Sequence, residues 1–178
     1  YNGVPGSEAC QDCPDGSTSP QGSQMAAAYI ANKGYTGEDG GSAFTACGAG
    51  TYKVTTGNAS CTVCGAGKYN VNSASTTETA CIACPAGRYN DDGATNANAH
   101  DALADCTACP NNSGTGTATG SDDQADCLAD AGYTGSGGNI SACPAGRYKA
   151  EAYSAAACTI CGAGKYTEKQ SSLRCTTC

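Results

Sequence analysis

The chain has 178 residues, a net charge of −7, 25 glycines and 15 cysteines. Val, Ile, Leu, Met, Phe and Trp together number only 13, so burial of large apolar side chains cannot offset backbone entropy here, and covalent stapling is the expected substitute. The nine basic residues read as scattered, which excludes a basic stripe for nucleic acid, and no apolar run reaches the roughly 18 residues of a membrane span.

The chain opens at Tyr1 in mid-pattern and reads as a mature product or a window on something longer. Cys10-x2-Cys13 is the first of six CxxC pairs, followed by 61/64, 81/84, 106/109, 158/161 and 175/178. A long loop, 14–46, comes next. Within it the apolar stretch 25–31 predicts a local helical turn, mirrored by 124–129. From Cys47 onward a short motif recurs: Cys, Gly or Pro, Ala, Gly, any residue, Tyr. It stands at 47–52, 64–69, 84–89, 143–148 and 161–166. Gly three residues after Cys accepts positive φ, Pro after Cys pre-sets a turn, and the Tyr is expected to start a short strand such as Tyr52-Lys53-Val54-Thr55. Ser/Thr/Asn-rich loops lie between the motifs, including a second long one at 110–142.

The cysteines repeat as a set. Cys10, Cys13, Cys47, Cys61, Cys64, Cys81 and Cys84 recur at Cys106, Cys109, Cys143, Cys158, Cys161, Cys175 and Cys178, with offsets of 96, 97 or 94 residues. Cys127 alone lacks a counterpart. Its place in the first copy falls on Tyr29, aligned through Gly34-Tyr35-Thr36-Gly37 and Gly132-Tyr133-Thr134-Gly135. The expected organisation is a cysteine-rich unit at 10–84, a connector at 85–105 and a second unit at 106–178. The expected fold is small, disulfide-rich and mostly irregular, with short β-hairpins in an elongated tandem-repeat rod that lacks a large hydrophobic core.

These CxxC-(Pro/Gly)-Ala-Gly-x-Tyr spacings resemble the ephrin-receptor-like cysteine-rich repeats of extracellular proteins, abundant in protist surface proteins such as the immobilisation antigens of ciliates. The resemblance runs from Cys10 to Cys178. It implies spacer or coat elements rather than catalytic units. The chain departs from that pattern at Tyr29 and in the long segments 14–46 and 110–142.

Three chemistries compete for the cysteines. Cys61-x2-Cys64-x16-Cys81-x2-Cys84 has the spacing of a four-cysteine zinc ribbon. A CxxC can be a redox dithiol, although the βαβ context of that reading is missing. Structural disulfides are favoured, because Cys47, Cys127 and Cys143 fall between CxxC pairs where a ribbon has no use for them. Nearest-neighbour pairing is the working hypothesis: Cys47–Cys61, Cys64–Cys81, Cys84–Cys106, Cys109–Cys127, Cys143–Cys158 and Cys161–Cys175. Loops of this length contribute roughly 3 kcal/mol per bond in the chain-entropy account. Cys13 is then unpaired, its expected partner being Tyr29. Cys10 and Cys178 are then left over, and copies are expected to join head to tail as a homopolymer, either as one longer polypeptide or through a Cys178–Cys10 link between subunits; a local Cys10–Cys13 bridge and a truncated fragment are the alternatives.

Asn58-Ala-Ser60, Asn111-Asn-Ser113 and Asn139-Ile-Ser141 are N-glycosylation sequons, so covalent glycans are expected. No catalytic, cofactor-binding or metal site is assigned. His100, the only histidine, is read as plain surface, and the pairs Glu38-Asp39, Asp91-Asp92 and Asp122-Asp123 as solvated acids. The expected function is an extracellular, glycosylated structural repeat protein of a cell-surface coat or filament, not an enzyme. The alternative is an adhesin or receptor-ectodomain module that binds through 14–46 and 110–142.

Overall fold

The computed structural model describes residues 12–178. Cys10, one partner of the candidate intersubunit link, lies outside the described residues. The chain is built from short hairpins with almost no helix. Among the described residues nine two-stranded sheets are present, every strand is two residues long, and helix is limited to five single 3-10 turns, Ala26–Ala28 and Gln124–Asp126 among them.

One local design repeats nine times. A four-residue turn carries its third residue in the left-handed region: Gly16, Gly34, Gly50, Gly67, Gly87, Asn112, Gly132, Gly146 and Gly164, with φ between 62° and 82°. The turn closes from the residue after it to the residue two before it, as in Ser17 N–H to Pro14 O at 3.0 Å and Arg147 N–H to Pro144 O at 3.1 Å. The following two residues pair antiparallel with a later two-residue strand: Thr51–Tyr52 with Thr62–Val63, and Arg147–Tyr148 with Thr159–Ile160. The residue after that second strand then donates its N–H back to the left-handed residue's carbonyl. Cys47 to Gly34, Cys64 to Gly50, Cys143 to Gly132 and Cys178 to Gly164 are examples, at 2.8–3.0 Å. Up to the last hairpin that donor either opens the next turn, as Asn32 and Asp130 do, or stands just before it, as the cysteines do, so each hairpin hands the chain directly to its successor.

The segments 14–46 and 110–142 are not open loops. Each holds two more hairpins of the same design, Ser17–Thr18 with Ile30–Ala31 and Tyr35–Thr36 with Thr45–Ala46, then Ser113–Gly114 with Leu128–Ala129 and Tyr133–Thr134 with Ser141–Ala142. The second turn of each segment escapes the cysteine pattern because Ala31 and Ala129, both fully buried, stand three residues before the left-handed glycine, where a cysteine stands elsewhere. The strand expected from Tyr52 to Thr55 is also shorter and earlier. It is Thr51–Tyr52, and it stops where the Lys53 N–H turns away to Ser75 O at 3.0 Å.

The residues group into two compact units. One comprises residues up to 65 with 69–82 and 94–103; the other comprises 66–68, 83–93 and 104–178. In each, the interior is largely sulfur and small apolar side chains, together with a few buried polar ones such as Lys53 and His100 in the first unit and Lys149 in the second. Cys47 and Cys64 in the first unit, and Cys84, Cys106, Cys127 and Cys143 in the second, are at most 1% exposed. Larger apolar residues lie outside: Ile160 is 63% exposed and Val71 54%. A fold with its greasy side chains in water needs another source of stability, and cross-links provide it.

Candidate functional site: disulfide rungs and buried lysine clasps

Six disulfides are present among the described residues: Cys47–Cys61, Cys64–Cys81, Cys84–Cys106, Cys109–Cys127, Cys143–Cys158 and Cys161–Cys175. Their Cα–Cα distances of 5.6–5.8 Å lie in the ordinary range for a disulfide. Each joins the cysteine that opens a turn to the residue just ahead of the returning strand, so the covalent bond and the two-residue ladder close the same loop. The ribbon quartet is thereby split, since Cys61 bonds Cys47 while Cys64 bonds Cys81. Among the described residues no group of three or more His, Cys, Asp or Glu side chains converges as a metal site.

Cys13 and Cys178 are the free thiols among the described residues, Cys13 half-buried and Cys178 exposed. Tyr29 explains the first. It precedes the returning strand Ile30–Ala31 as Cys127 precedes Leu128–Ala129, is 6% exposed, and accepts Gly40 N–H at 2.7 Å where Cys127 accepts Gly137 N–H at 2.8 Å. A tyrosine therefore fills a cysteine's place without disturbing the backbone around it.

A second recurring device was not legible in the sequence. Lys53 and Lys149 directly follow the first strand of their hairpins and are 2% and 5% exposed. The Lys53 ammonium donates to Tyr35 O at 2.6 Å and to Gly57 O; that of Lys149 donates to Ala129 O at 3.0 Å, Asp130 O at 3.4 Å and Ser154 O. Each ammonium reaches the loop beyond its own strand and an earlier stretch of backbone: Lys53 takes Tyr35 O of the preceding hairpin, whereas Lys149 takes Ala129 O and Asp130 O, where the hairpin before that ends and the next turn opens. Burial holds both lysines below their ordinary value of 10.5, opposed by Asp39 for Lys53 and by Asp130 and Glu151 for Lys149. Asn70 fills the same slot with an amide, donating to Thr51 O at 3.0 Å and Ser75 Oγ at 2.9 Å. The one sequence signal available was position: Lys53 and Lys149 each follow the Tyr or Arg-Tyr of a turn motif, 96 residues apart.

His100 is not surface. It is fully buried at the end of the 3-10 turn Ala97–Ala99, donates its N–H to Ala97 O at 3.0 Å and accepts Asn70 N–H at 2.8 Å. The cause lies opposite, where the absent side chain of Gly50 lets residues 97–100 settle onto the turn; a Cβ there would overlap Ala97 O. Of the paired acids, Asp123 caps the turn Gln124–Asp126 through Ala125 N–H at 2.7 Å. The sequon residues Asn58, Asn111 and Asn139 are exposed.

The six disulfides are bonds of an oxidising compartment. No helix among the described residues is long and apolar enough to cross a membrane. No protein-family model matches the chain, and no curated protein sequence matches it.

Proposed function

We propose that the protein is an extracellular structural repeat protein of a cell-surface coat or filament, glycosylated at Asn58, Asn111 and Asn139. Its work is mechanical and steric: covalent rungs stiffen an elongated array that holds sugars outward. The observation that carries this reading is the ninefold recurrence of one closure, from the residue after each hairpin back to its left-handed turn residue. A site for chemistry concentrates unusual residues in one place; here the chain spends its cysteines and polar contacts evenly on repeating the same joint. The resemblance to ephrin-receptor-like repeats supports the same reading, and no catalytic role is assigned.

Copies join head to tail. In that step the thiols of Cys178 on one copy and Cys10 on the next lose two protons and two electrons to a disulfide oxidant, forming one S–S bond. Electrophoresis without reductant should give a ladder that collapses to one band on reduction; a single unchanged band removes the intersubunit bond. Digestion with a peptide-N-glycosidase should lower the mass at the three sequons, and no loss removes them.

The second reading is an adhesin or receptor-ectodomain module that binds through 14–46 and 110–142, where Met25 stands exposed. Saturable binding of the intact chain to one defined glycan or protein would bring it forward.

A further inference from the structure

The Asn111 sequon is written into a turn. Where residues 84–89 read Cys-Pro-Ala-Gly-Arg-Tyr, residues 109–114 read Cys-Pro-Asn-Asn-Ser-Gly, so the acceptor triplet replaces the Ala-Gly-Arg that makes the bend. Asn112 takes the left-handed place at φ 62°, the one residue other than glycine to do so in the nine turns. Ser113 sends both its N–H and its hydroxyl to Pro110 O, at 3.2 and 2.7 Å. The Asn112 carbonyl accepts Asp130 N–H at 2.9 Å, and Ser113–Gly114 pairs with Leu128–Ala129. The Cys109–Cys127 disulfide closes the same loop. Gly114 is covered in turn by Tyr153, whose ring would lie 3.0 Å from a Cβ there. Asn111 itself stays exposed.

The Asn58 sequon is built differently. Asn58, Ala59 and Ser60 are all exposed and belong to no strand. The Ala59 carbonyl accepts the Thr36 hydroxyl at 3.5 Å, while among the described residues the Ser60 hydroxyl makes no hydrogen bond.

N-linked transfer needs more than an exposed asparagine. The Asn Nδ2 attacks C1 of an oligosaccharide carried on a lipid diphosphate. The new C–N bond forms as the C–O bond to the diphosphate breaks, and one amide proton passes to a base of the transferase. That enzyme takes the Asn-x-Ser stretch opened out and reads the Ser hydroxyl directly. In the closed hairpin the Ser113 hydroxyl is committed to Pro110 O. Asn112 would also have to leave the left-handed region, which breaks its bond to Asp130 and the start of the ladder.

We propose that Asn111 accepts its sugar only before the Cys109–Cys127 hairpin closes, so that folding itself ends acceptance there while Asn58 stays open. This rests on the glycosylated reading above and gives it an order. Synthesis allows that order. Ala129, which completes the ladder, is made 16 residues after Ser113, about one to three seconds later at roughly 5–20 residues per second. Disulfide formation takes seconds to hours. Because Asn111 is exposed in the finished turn, a sugar attached first leaves the hairpin free to close beneath it.

The test compares two forms of the full 178-residue chain made without sugar. One is native, with the six disulfides mapped; the other is reduced and alkylated. Each receives an oligosaccharyltransferase and a lipid-diphosphate oligosaccharide, and peptide mass spectrometry follows occupancy with time. In the native form Asn111 should react about tenfold or more slower than Asn58, as a site reached through local opening alone. In the alkylated form the two should react at similar rates. Equal rates in the native form overturn the proposal. So does an Asn111 that stays inert in the alkylated form while Asn58 reacts, and glycosylation at Asn58 then still stands. If no sequon reacts in either form, the glycosylated reading falls with it.

Discussion

Lys53 and Lys149 are one residue seen twice. They stand 96 residues apart, and each donates through Nζ to a carbonyl of an earlier hairpin and to one in the loop after its own strand. Their main chains also correspond, with Gly34 N–H on Lys53 O and Gly132 N–H on Lys149 O at 3.0 and 2.8 Å. A charged side chain in the interior of a repeat with so little apolar bulk acts as a non-covalent staple, holding three stretches of backbone through one cation.

Lys53→Met and Lys149→Met keep the aliphatic stem and remove the donor, leaving buried carbonyls unpaired. Each should destabilise the folded protein by about 2 kcal/mol, the scale of such desolvation. The two lysines share no hydrogen-bond partner, so the double variant should show close to the sum of the two losses. Denaturant melts with the disulfides intact would measure this; a loss below a few tenths of a kcal/mol would show the clasps to be incidental.

The same lysines set a pH dependence of defined sign. Burial lowers their native values below 10.5. Between the native and unfolded values the unfolded chain therefore binds more protons, and stability rises with pH through that window. Below it both states are protonated and this contribution is constant. With Cys13 and Cys178 alkylated, melts approaching pH 10.5 should show the rise in wild type and its loss in the double Lys→Met variant; identical slopes would refute it.

Tyr29→Cys should create a seventh disulfide. The backbone of Tyr29 matches that of Cys127, the partner of Cys109, and Cys13 opens its turn as Cys109 does. The new loop would add roughly 3 kcal/mol in the chain-entropy account, reduced by the loss of the buried tyrosine ring. Thiol counting by mass spectrometry should find Cys13 protected. A protein in which both thiols react would mean that the tyrosine had altered the local path of the chain.

Gly132→Ala and Gly146→Ala separate two reasons for glycine. Both residues have φ near 80°, so each alanine pays about 1 kcal/mol of left-handed strain. At Gly132 a Cβ also overlaps Ser171 O, whereas at Gly146 nothing lies within 4 Å. Gly132→Ala should therefore lower the melting temperature distinctly more than Gly146→Ala. Equal effects would mean that the loop at 171 yields freely.

Disulfide bonding, short hairpins and the scarcity of helix were legible because their signals are local. Cysteine spacing, Gly at the left-handed position and Pro at the turn each act within a few residues of themselves. The hairpins at 14–46 and 110–142 were not legible, because the first turn of each segment keeps Cys13 or Cys109 but lacks the Ala-Gly-x-Tyr of the motif, and the second has Ala31 or Ala129 in place of the marker cysteine, while the backbone closes in the same way. His100 and the lysine clasps were also missed. Their burial is decided by residues 18 to 50 positions away: Gly50 opposite His100, Tyr35 O for Lys53 and Ala129 O for Lys149.

By itself, then, the sequence determined that this chain is held by sulfur and turned by glycine, since both depend on residue identity and short spacing. Only the tertiary structure decided which polar side chains go inside. The carbonyls that make a buried lysine or histidine tolerable come from other hairpins, and they face it only once the chain has folded.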